Sequence, residues 1–563
     1  MNLTIKKFLI YASSILIIAV LILNDPRSTI IGEPFNLTNM AMSIAISQIV
    51  YNIDGFIGLR EVYETLSKIP HSHNYFSDYY NHLGSFVFSF DSFEQIKEYK
   101  KIISEKILEA QNLTILDKKN IHTYQNDIGY VLYIILSFIL FGINLKSISI
   151  LFLIILSISS IIFMISFHKN NVYFFLLQTI LFSFVIAVIS NYGGSVQIAS
   201  VINQRFLTIL AIIPALHLAI VILNNNFLNF KSIFLSILQL LILIFLCQTR
   251  GTALWSILFL CLFYSFWIFK VGLNNFNKYK KNIFSMISFV FLFLVLFNLN
   301  HVFIKKNLSN HYNDISITTK HMFWHSLFIS LASSPKIHEN YVCTDNEFQD
   351  LWKVEHRPCG SYPSRYGGVY GNKSEFYKRI FYYRPLDTFG THAVIKYINE
   401  NGLDQQLGIY NKNNLSWSLN WPLYESTLKK LYFDIIKNYP LEFLYTHLII
   451  KPIQFIFEIA KSLLYFLNGF NKNSFFIFLI FIASIGIKYF SVSKIKIKKE
   501  LTDLENDNYT FLIESILFFI FISIGVLSII FYPSQQSAIP ECFIAFVSII
   551  LFFLKKRFEH KER

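Results

Sequence analysis

Three carboxylates, Asp25 in LNDPR, Glu33 in GEPFNLTNMAMSIA and Asp54 in YNIDGF, stand a short way beyond the first apolar run of the chain. A carboxylate at the mouth of a membrane-facing cleft can take the proton from an acceptor hydroxyl while a sugar leaves a phosphate group. Such a transfer also needs a cation, from a metal or an arginine, to gather the charge building on the departing phosphate. Arg205 in VINQRF and Arg250 in CQTRGTALW sit at the edges of apolar runs, where a charge is costly, and a guanidinium fork matches phosphate oxygens. Further on, TKHMFWHSLFISLA sets His321, Trp324 and His325 at i, i+3, i+4 spacing, so a helix would carry them on one face, suited to stacking on a sugar ring and bonding its hydroxyls. Arg357 follows Asp345, Glu347, Asp350, Glu355 and His356 in a mixed-charge stretch whose oxygens could hold a divalent ion. Each group also has a plainer reading. Glu33 can cap the helix that follows it, the arginines can snorkel to headgroups, Trp324 can anchor at an interface, and the mixed-charge stretch can be a solvated loop. Glu514 and Glu541 read as end-of-helix carboxylates.

The surroundings of these residues are lipid-like in composition. Of 563 residues 54% are hydrophobic, 60 are Phe and only 15% are charged, well short of the roughly one quarter usual in soluble domains. The formal charge of +14 falls mainly between apolar runs, in KYKKN at 278–282, SKIKIKKE at 493–500 and KKRFEHKER at the end. That distribution anchors helices against anionic lipid and does not build a groove for nucleic acid, for which no aromatic-and-basic module is present. Five cysteines are present; Cys247, Cys261 and Cys542 lie in or beside apolar runs, while Cys343 and Cys359 share a polar loop and could be bonded in an oxidising compartment. The sequence has no CxxC or HExxH pattern, so zinc or redox chemistry has little support.

Apolar runs at 8–23, 129–145, 147–167, 172–190, 206–224, 231–248, 252–270, 283–304, 446–467, 473–490, 511–532 and 538–555 make about twelve candidates near the ~20 residues a crossing needs. Runs this long and apolar exclude a barrel, so the expected fold is an all-α polytopic membrane protein with about 11–13 transmembrane helices. Two polar regions, 24–128 and 305–440, divide it into a membrane module at 1–304, a soluble region at 305–440 and C-terminal membrane helices at 441–563. The run at 8–23 ends in NDPR with no small-x-small cleavage pattern, so it reads as an uncleaved first helix. Within 32–52, Phe35, Met40, Ala41, Ile44, Ala45 and Ile49 recur at helical spacing, the stripe of a helix lying along the interface, with Pro34 at its start. DSFEQIKEYKKIISEKILEAQ at 91–111 reads as a charged surface helix with Phe93, Ile96, Ile103 and Ile107 as its packing face.

Topology does not close if every run crosses. Lys6, Lys7, the 493–500 run and the basic tail mark one side, and twelve crossings then put the 278–282 lysines on the other. Reading ISNYGGSVQIASVINQRF at 189–206 as bent or re-entrant, and 439–467 with its Pro440, His447, Lys451 and Pro452 as interfacial, places both polar regions outside.

One apolar helix, a long loop opening with an acidic residue and an amphipathic helix, many crossings and a late soluble region together resemble the GT-C superfamily of integral-membrane glycosyltransferases. The stretch STLKKLYFDIIKNYPLEFLYTHLIIKPIQF at 426–455, with Tyr439, Pro440 and Phe443, is similar to the segment that follows the late outer loop in bacterial members, and MFWHSLFISLA at 322–332 resembles a stretch of bacterial membrane proteins of this layout. The resemblance covers the layout of most of the chain and its motifs are of low specificity. It implies a polyprenyl-phosphate-linked sugar donor, a cell-envelope glycan or lipid acceptor, an acidic catalytic residue matched best by Glu33, and a location in a bacterial cytoplasmic membrane with the polar loops on the periplasmic or extracytoplasmic side. Glu33 departs from the usual pattern in having Phe35 two residues on and no adjacent second acid. Family members differ in needing a divalent metal. The competing expectations are an O-antigen-type polysaccharide polymerase or ligase relying on Arg205, Arg250 and His325, and a transporter, for which no internal repeat is visible.

Overall fold

The computed structural model describes residues 3–24, 35–69, 77–80, 86–89, 93–114, 117–124, 128–168, parts of 173–184, 201–221 apart from 203, 229–269, 276–313, 323–341, 387–401, 408–411, 416–419 and 421–453. In chain order the first of two packed units comprises α1 (Leu3–Asn24), α2 (Phe35–Tyr51), β1 (Ile57–Leu59), α3 (Arg60–Ser67), the hairpin of β2 (Ser77–Tyr80) and β3 (Phe86–Ser89), α4 (Phe93–Gln111), β4 (Ile121–Thr123), α5 (Ile128–Phe141), α6 (Leu145–Phe167), α7 (Gln204–Leu207), α8 (Ile212–Val221), α9 (Phe230–Thr249), α10 (Trp255–Trp267) and α11 (Phe276–Lys306). Among the described residues four helices are long and apolar enough to cross a bilayer, at Ile5–Leu23, Leu145–Phe167, Phe230–Thr249 and Lys280–Lys306. The chain is an integral-membrane, mostly α-helical protein with extramembrane loops. The only strands among the described residues form three two-stranded antiparallel ribbons, β1 with β4, β2 with β3, and later β5 with β6.

Side-chain hydrogen bonds between helices are scarce in lipid because few polar groups are available, so each one fixes a relative depth. Lys7 donates to the His168 carbonyl at 2.6 Å and lies 5.6 Å from the centre of the Phe174 ring, and the Tyr11 hydroxyl meets Ser160 Oγ at 2.9 Å, so α1 runs antiparallel to α6. Ser159 donates to Gln239 at 2.9 Å, which aligns α6 with α9. Ser166 meets His217 at 2.8 Å, and Tyr264 donates to the Leu218 carbonyl at 3.0 Å, bringing the end of α8 and the end of α10 to the same side as Lys7. At the opposite side the Tyr130 hydroxyl donates to the Ile202 carbonyl, and beyond α11 the Ser309 amide donates to the Gly55 carbonyl at 3.0 Å. One end of the bundle therefore carries Lys7, His168, Lys231 and the lysines at 278, 280 and 281, and the other carries the 35–124 region.

The apolar helix α5 does not cross between these ends. Its first turn is pressed on the end of α9, where a Cβ on Gly129 would lie 2.2 Å from the Gln248 carbonyl oxygen. Its last turn joins α6 through Gly142, at φ +86, and Asn144, which caps α6 by accepting from the Ser147 amide at 3.0 Å. The Ser147 hydroxyl donates back to the Phe141 carbonyl at 3.1 Å, so both ends of α5 stay at the loop-bearing end. The run at 129–145 is thus a segment that lies across the bundle; residues 189–200 and 203 of the stretch expected to be bent or re-entrant lie outside the described residues. With α5 removed from the crossings, the 278–282 lysines join Lys6 and Lys7 on one side, in keeping with the distribution of positive charge.

The helix expected within 32–52 is present as α2, and its neighbours are protein on several sides. Thr38, Asn39 and every residue from Ala41 to Ser47 are buried, so α2 is enclosed on all sides between α5, α3, α4 and β1. Two of its polar side chains bond neighbouring elements: Ser47 accepts from the Leu59 amide at 2.9 Å, and Asn39 donates to the Leu66 carbonyl at 3.2 Å, while Asn39 Oδ1 and Gln48 Oε1 are buried without a hydrogen bond among the described residues. The apolar stripe read from the sequence packs on protein, and the remaining face is covered by the loop region folded over it. The expected packing face of α4 holds at Ile103 and Ile107, joined by Tyr99 and Ala110. Exposed charges line its other side, with a Lys101 to Glu105 pair at 3.8 Å.

The second unit consists of α12 (Phe323–Ile329), α13 (Pro335–Tyr341), α14 (Asp387–Glu400), the ribbon β5 (Gly408–Asn411) and β6 (Ser416–Leu419), α15 (Trp421–Asn438) and α16 (Pro440–Tyr445), which continues into one π-helical turn, Thr446–Ile450. Its core is Phe328, Leu331, Ile337, Val394, Ile395, Ile398, Leu428 and Ile435, contributed by four helices and the 3-10 turn Ser330–Ser333 that follows α12.

Candidate functional site

The loop-bearing end of the first unit carries Asp54, Arg250 and the described chain next to Arg205. Tyr124, after β4, donates from its hydroxyl to Gln204 Oε1 at 3.1 Å, and Gln204 precedes Arg205. Tyr130, on the first turn of α5, donates to the Ile202 carbonyl and is hydrogen-bonded by the Thr38 side chain from the first turn of α2. That helix begins two residues after Glu33. Tyr124, Tyr130 and Tyr133 form a run of buried rings, with centroids 6.4 Å apart at each step. Gly129 lets this run approach the end of α9, because any side chain there would meet the Gln248 backbone. Arg250 is the C-terminal cap of α9, half-buried in extended backbone, with its amide on the Leu246 carbonyl at 3.3 Å.

Asp54 lies on the same end, exposed, in a tight loop. Asn52, Gly55 and Phe56 have φ of +53, +85 and +58, and positive φ at a bulky residue such as Phe56 is held only by surrounding contacts. Those contacts are visible: the Ile53 amide donates to the Ser47 carbonyl at 3.1 Å, and the Tyr312 hydroxyl donates to the Phe56 carbonyl at 2.6 Å while accepting from the Tyr124 amide at 3.2 Å. Burial raises the Tyr312 pKa, opposed by the hydrogen bond from Tyr124, so this hydroxyl stays protonated and can donate. Asp54, Tyr312, Tyr124, Gln204 and the start of α7 are therefore linked by successive hydrogen bonds and short chain steps. The side chain of Arg205 and the whole of Asp25 and Glu33 lie outside the described residues.

A histidine unremarked in the sequence lies beneath this end. His122 Nε2 is 2.6 Å from Ser43 Oγ, and Ser43 Oγ is 2.8 Å from the Met40 carbonyl, so the ring is joined through Ser43 to the backbone of α2. Burial pushes the ring pKa down to about 3, aided by the Arg60 charge and opposed by a hydrogen bond with the Thr123 backbone. Gly58 makes room for the ring, since a Cβ there would lie 2.2 Å from Nε2. His122 is a neutral packing group that ties β4 to α2.

In the second unit α12 carries Trp324 and His325, and the structure sends their side chains to different places. Glu425 of α15 accepts from both amides, Trp324 N at 3.0 Å and His325 N at 3.1 Å, and so caps α12 from a neighbouring helix. The His325 ring is buried, with Nδ1 2.7 Å from the Tyr424 hydroxyl, at a place where Gly390 keeps the space clear. Trp324 is half-buried among Tyr432, Phe433 and Lys429, whose ammonium lies 5.5 Å from a ring centroid of the indole. His325 is thus a core residue of this unit, whereas Trp324 keeps an edge open. His321, Arg357, the acidic stretch at 345–355, Cys343, Cys359, Glu514 and Glu541 lie outside the described residues.

A third cluster forms around His447 and Lys451, in the stretch whose prolines suit an interfacial or broken helix. Lys451 is fully buried and bonds Ser330 Oγ at 2.9 Å and His447 Nδ1 at 3.0 Å, just after the π-helical turn. The Ser334 hydroxyl donates to Glu442 nearby. Among the described residues no group of three His, Cys, Asp or Glu is spaced to hold a metal ion. Cys247 is buried in α9 with its sulfur 4.0 Å from Ser256 Oγ, the behaviour of a small apolar residue. Comparison of the chain with known protein families, curated proteins and solved structures gives no match.

Proposed function

We propose that this integral-membrane protein transfers a sugar from a polyprenyl-phosphate-linked donor to a cell-envelope glycan or lipid acceptor, in the manner of GT-C glycosyltransferases, at the loop-bearing end of its first unit. What supports the reading is one observation: the described neighbours of four sequence candidates lie together at that end. Thr38 stands near Glu33 in sequence, Gln204 is adjacent to Arg205, Gln248 is close to Arg250, and Tyr312 holds the loop of Asp54. In this proposal Glu33 or Asp54 removes the proton from the acceptor hydroxyl. The acceptor oxygen forms its bond to the anomeric carbon as the carbon–oxygen bond to phosphate breaks, and the phosphate leaves with the electron pair, its charge met by Arg205 and Arg250. The lysines gathered at the opposite end favour that end as cytoplasmic, which would put the chemistry on the outer leaflet of a bacterial cytoplasmic membrane.

The test is turnover in nanodiscs with a radiolabelled polyprenyl-phosphate sugar. The expected pattern is a loss of at least about a hundredfold for Glu33→Gln or Asp54→Asn, from removal of a general base. Arg205→Ala and Arg250→Ala should weaken donor binding. Wild-type protein that neither binds nor turns over such donors, together with an unchanged cellular phenotype for Glu33→Gln, would refute it. A polymerase or ligase using Arg205, Arg250 and His325 has weaker support, because the His325 ring is buried against Tyr424.

A further inference from the structure

The helical segment after Pro440 has two unlike faces. Thr446, His447, Ile450 and Lys451 point inward and are buried, and the polar ones among them are bonded: Lys451 to Ser330 and His447, Thr446 to the Glu442 carbonyl at 2.8 Å. These bonds fix the rotation of the segment, because turning it would strip a buried ammonium of its partners. The face left outside carries Leu441, Leu444, Tyr445, Leu448 and Ile449, at i, i+3, i+4, i+7, i+8 spacing, with Leu441 81% and Leu448 57% exposed. Phe433 on α15 is also exposed, with the Trp324 ring centroid 5.5 Å from its own.

We propose that the segment from Pro440 to Ile450 lies along the lipid–water boundary and seats the second unit on an anionic bilayer surface. Three observations select lipid as the occupant. The sequence runs on from this stripe into IQFIFEIAKSLLYFL at 453–467, so the exposed apolar face is continuous with a run of membrane character. Lys429 and Lys437 are exposed on α15 four residues to either side of Phe433, on the face that carries it, a placement suited to anionic headgroups, whereas Lys430 is held by the Tyr397 hydroxyl of α14. Tyr439, Tyr445 and Trp324 supply rings of the kind that settle at headgroup level. A surface position, as opposed to the start of a crossing, follows from the inner face, which packs on the Ser330–Ser334 turn and on α15 at the level of the second unit. The placement does not depend on the sugar-transfer reading, and its test reads position alone.

The experiment uses the full chain, with its five cysteines replaced, in phosphatidylglycerol-containing nanodiscs, with a nitroxide introduced in turn at Leu441→Cys, Leu444→Cys and Leu448→Cys. Leu16→Cys on α1 serves as the lipid reference and Glu400→Cys on α14 as the water reference. Collisions with oxygen should exceed those with a water-soluble nickel complex at all three positions, as at the lipid reference, and the three depths should agree within a few Å. Collisions dominated by nickel, a spin–spin distance that sets the stripe against a second copy, or a depth rising by about 10 Å from 441 to 448, as a crossing helix of ~1.5 Å rise per residue requires, would overturn it. Photocrosslinking of the unmodified chain with diazirine phospholipids gives a second reading. Adducts should map to 439–450 and be several-fold more abundant with an anionic than a zwitterionic probe; no adducts there, or no preference between the probes, would also overturn it.

Discussion

Removing the Glu425 carboxylate should loosen the start of α12 in a measurable, local way. Glu425 holds the amides of Trp324 and His325 at 3.0 and 3.1 Å, two of the donors that a helix start leaves without an intrahelical partner. A hydrogen bond to a charged group contributes about 1.5–3 kcal/mol, and because Glu425 is only half-buried each bond belongs at the low end, giving about 3 kcal/mol for Glu425→Ala. Glu425→Gln keeps one carbonyl oxygen as acceptor and should lose about half of that. Hydrogen exchange followed by mass spectrometry reads the consequence directly. The amides of Trp324 and His325 should exchange at least about tenfold faster in Glu425→Ala, since 1.4 kcal/mol corresponds to a factor of ten. Their neighbours deeper in α12 should change less. Unaltered protection at these two amides, with an unaltered unfolding midpoint, would show that the cap is not what holds α12 against α15.

Acidification should destabilise the 35–124 region through His122. Its folded pKa of about 3 lies below the unfolded value of about 6.5, so the unfolded chain takes up the proton first as pH falls. Stability is then level above about pH 6.5 and declines towards pH 3, by at most about 2 kcal/mol at pH 5, and His122→Gln should flatten that slope in pH-dependent proteolysis. Gly390→Ala places a methyl group 2.2 Å from the Tyr424 hydroxyl and should cost about 1–3 kcal/mol. Adding Tyr424→Phe should recover part of that loss, a coupling that thermal unfolding of the single and double variants would show. Gly129→Ala sets a Cβ 2.2 Å from the Gln248 carbonyl, so α5 and α9 must separate, and reactivity of Cys247 towards a small thiol reagent should rise.

Composition and periodicity by themselves determined that this chain is helical and lies in membrane, because long apolar runs leave the backbone no other way to satisfy its hydrogen bonds. They also located part of the packing face of α4, at Ile103 and Ile107, since it rests on 3.6-residue spacing. Tertiary structure decided what spacing does not encode. An apolar helix may cross or lie across, and α5 lies across because Gly129 admits the end of α9 and Gly142 turns the chain back at the same end. A stripe such as that of α2 can face lipid or protein, and here the 57–124 region covers it. Trp324 and His325 are neighbours in sequence, yet Glu425 and Tyr424, a hundred residues away, fix one at an open edge and bury the other. The physical reason is common to all three cases. Periodicity states which faces avoid water, whereas the partner that covers each face comes from chain folded in from far away, and only the packed structure names it.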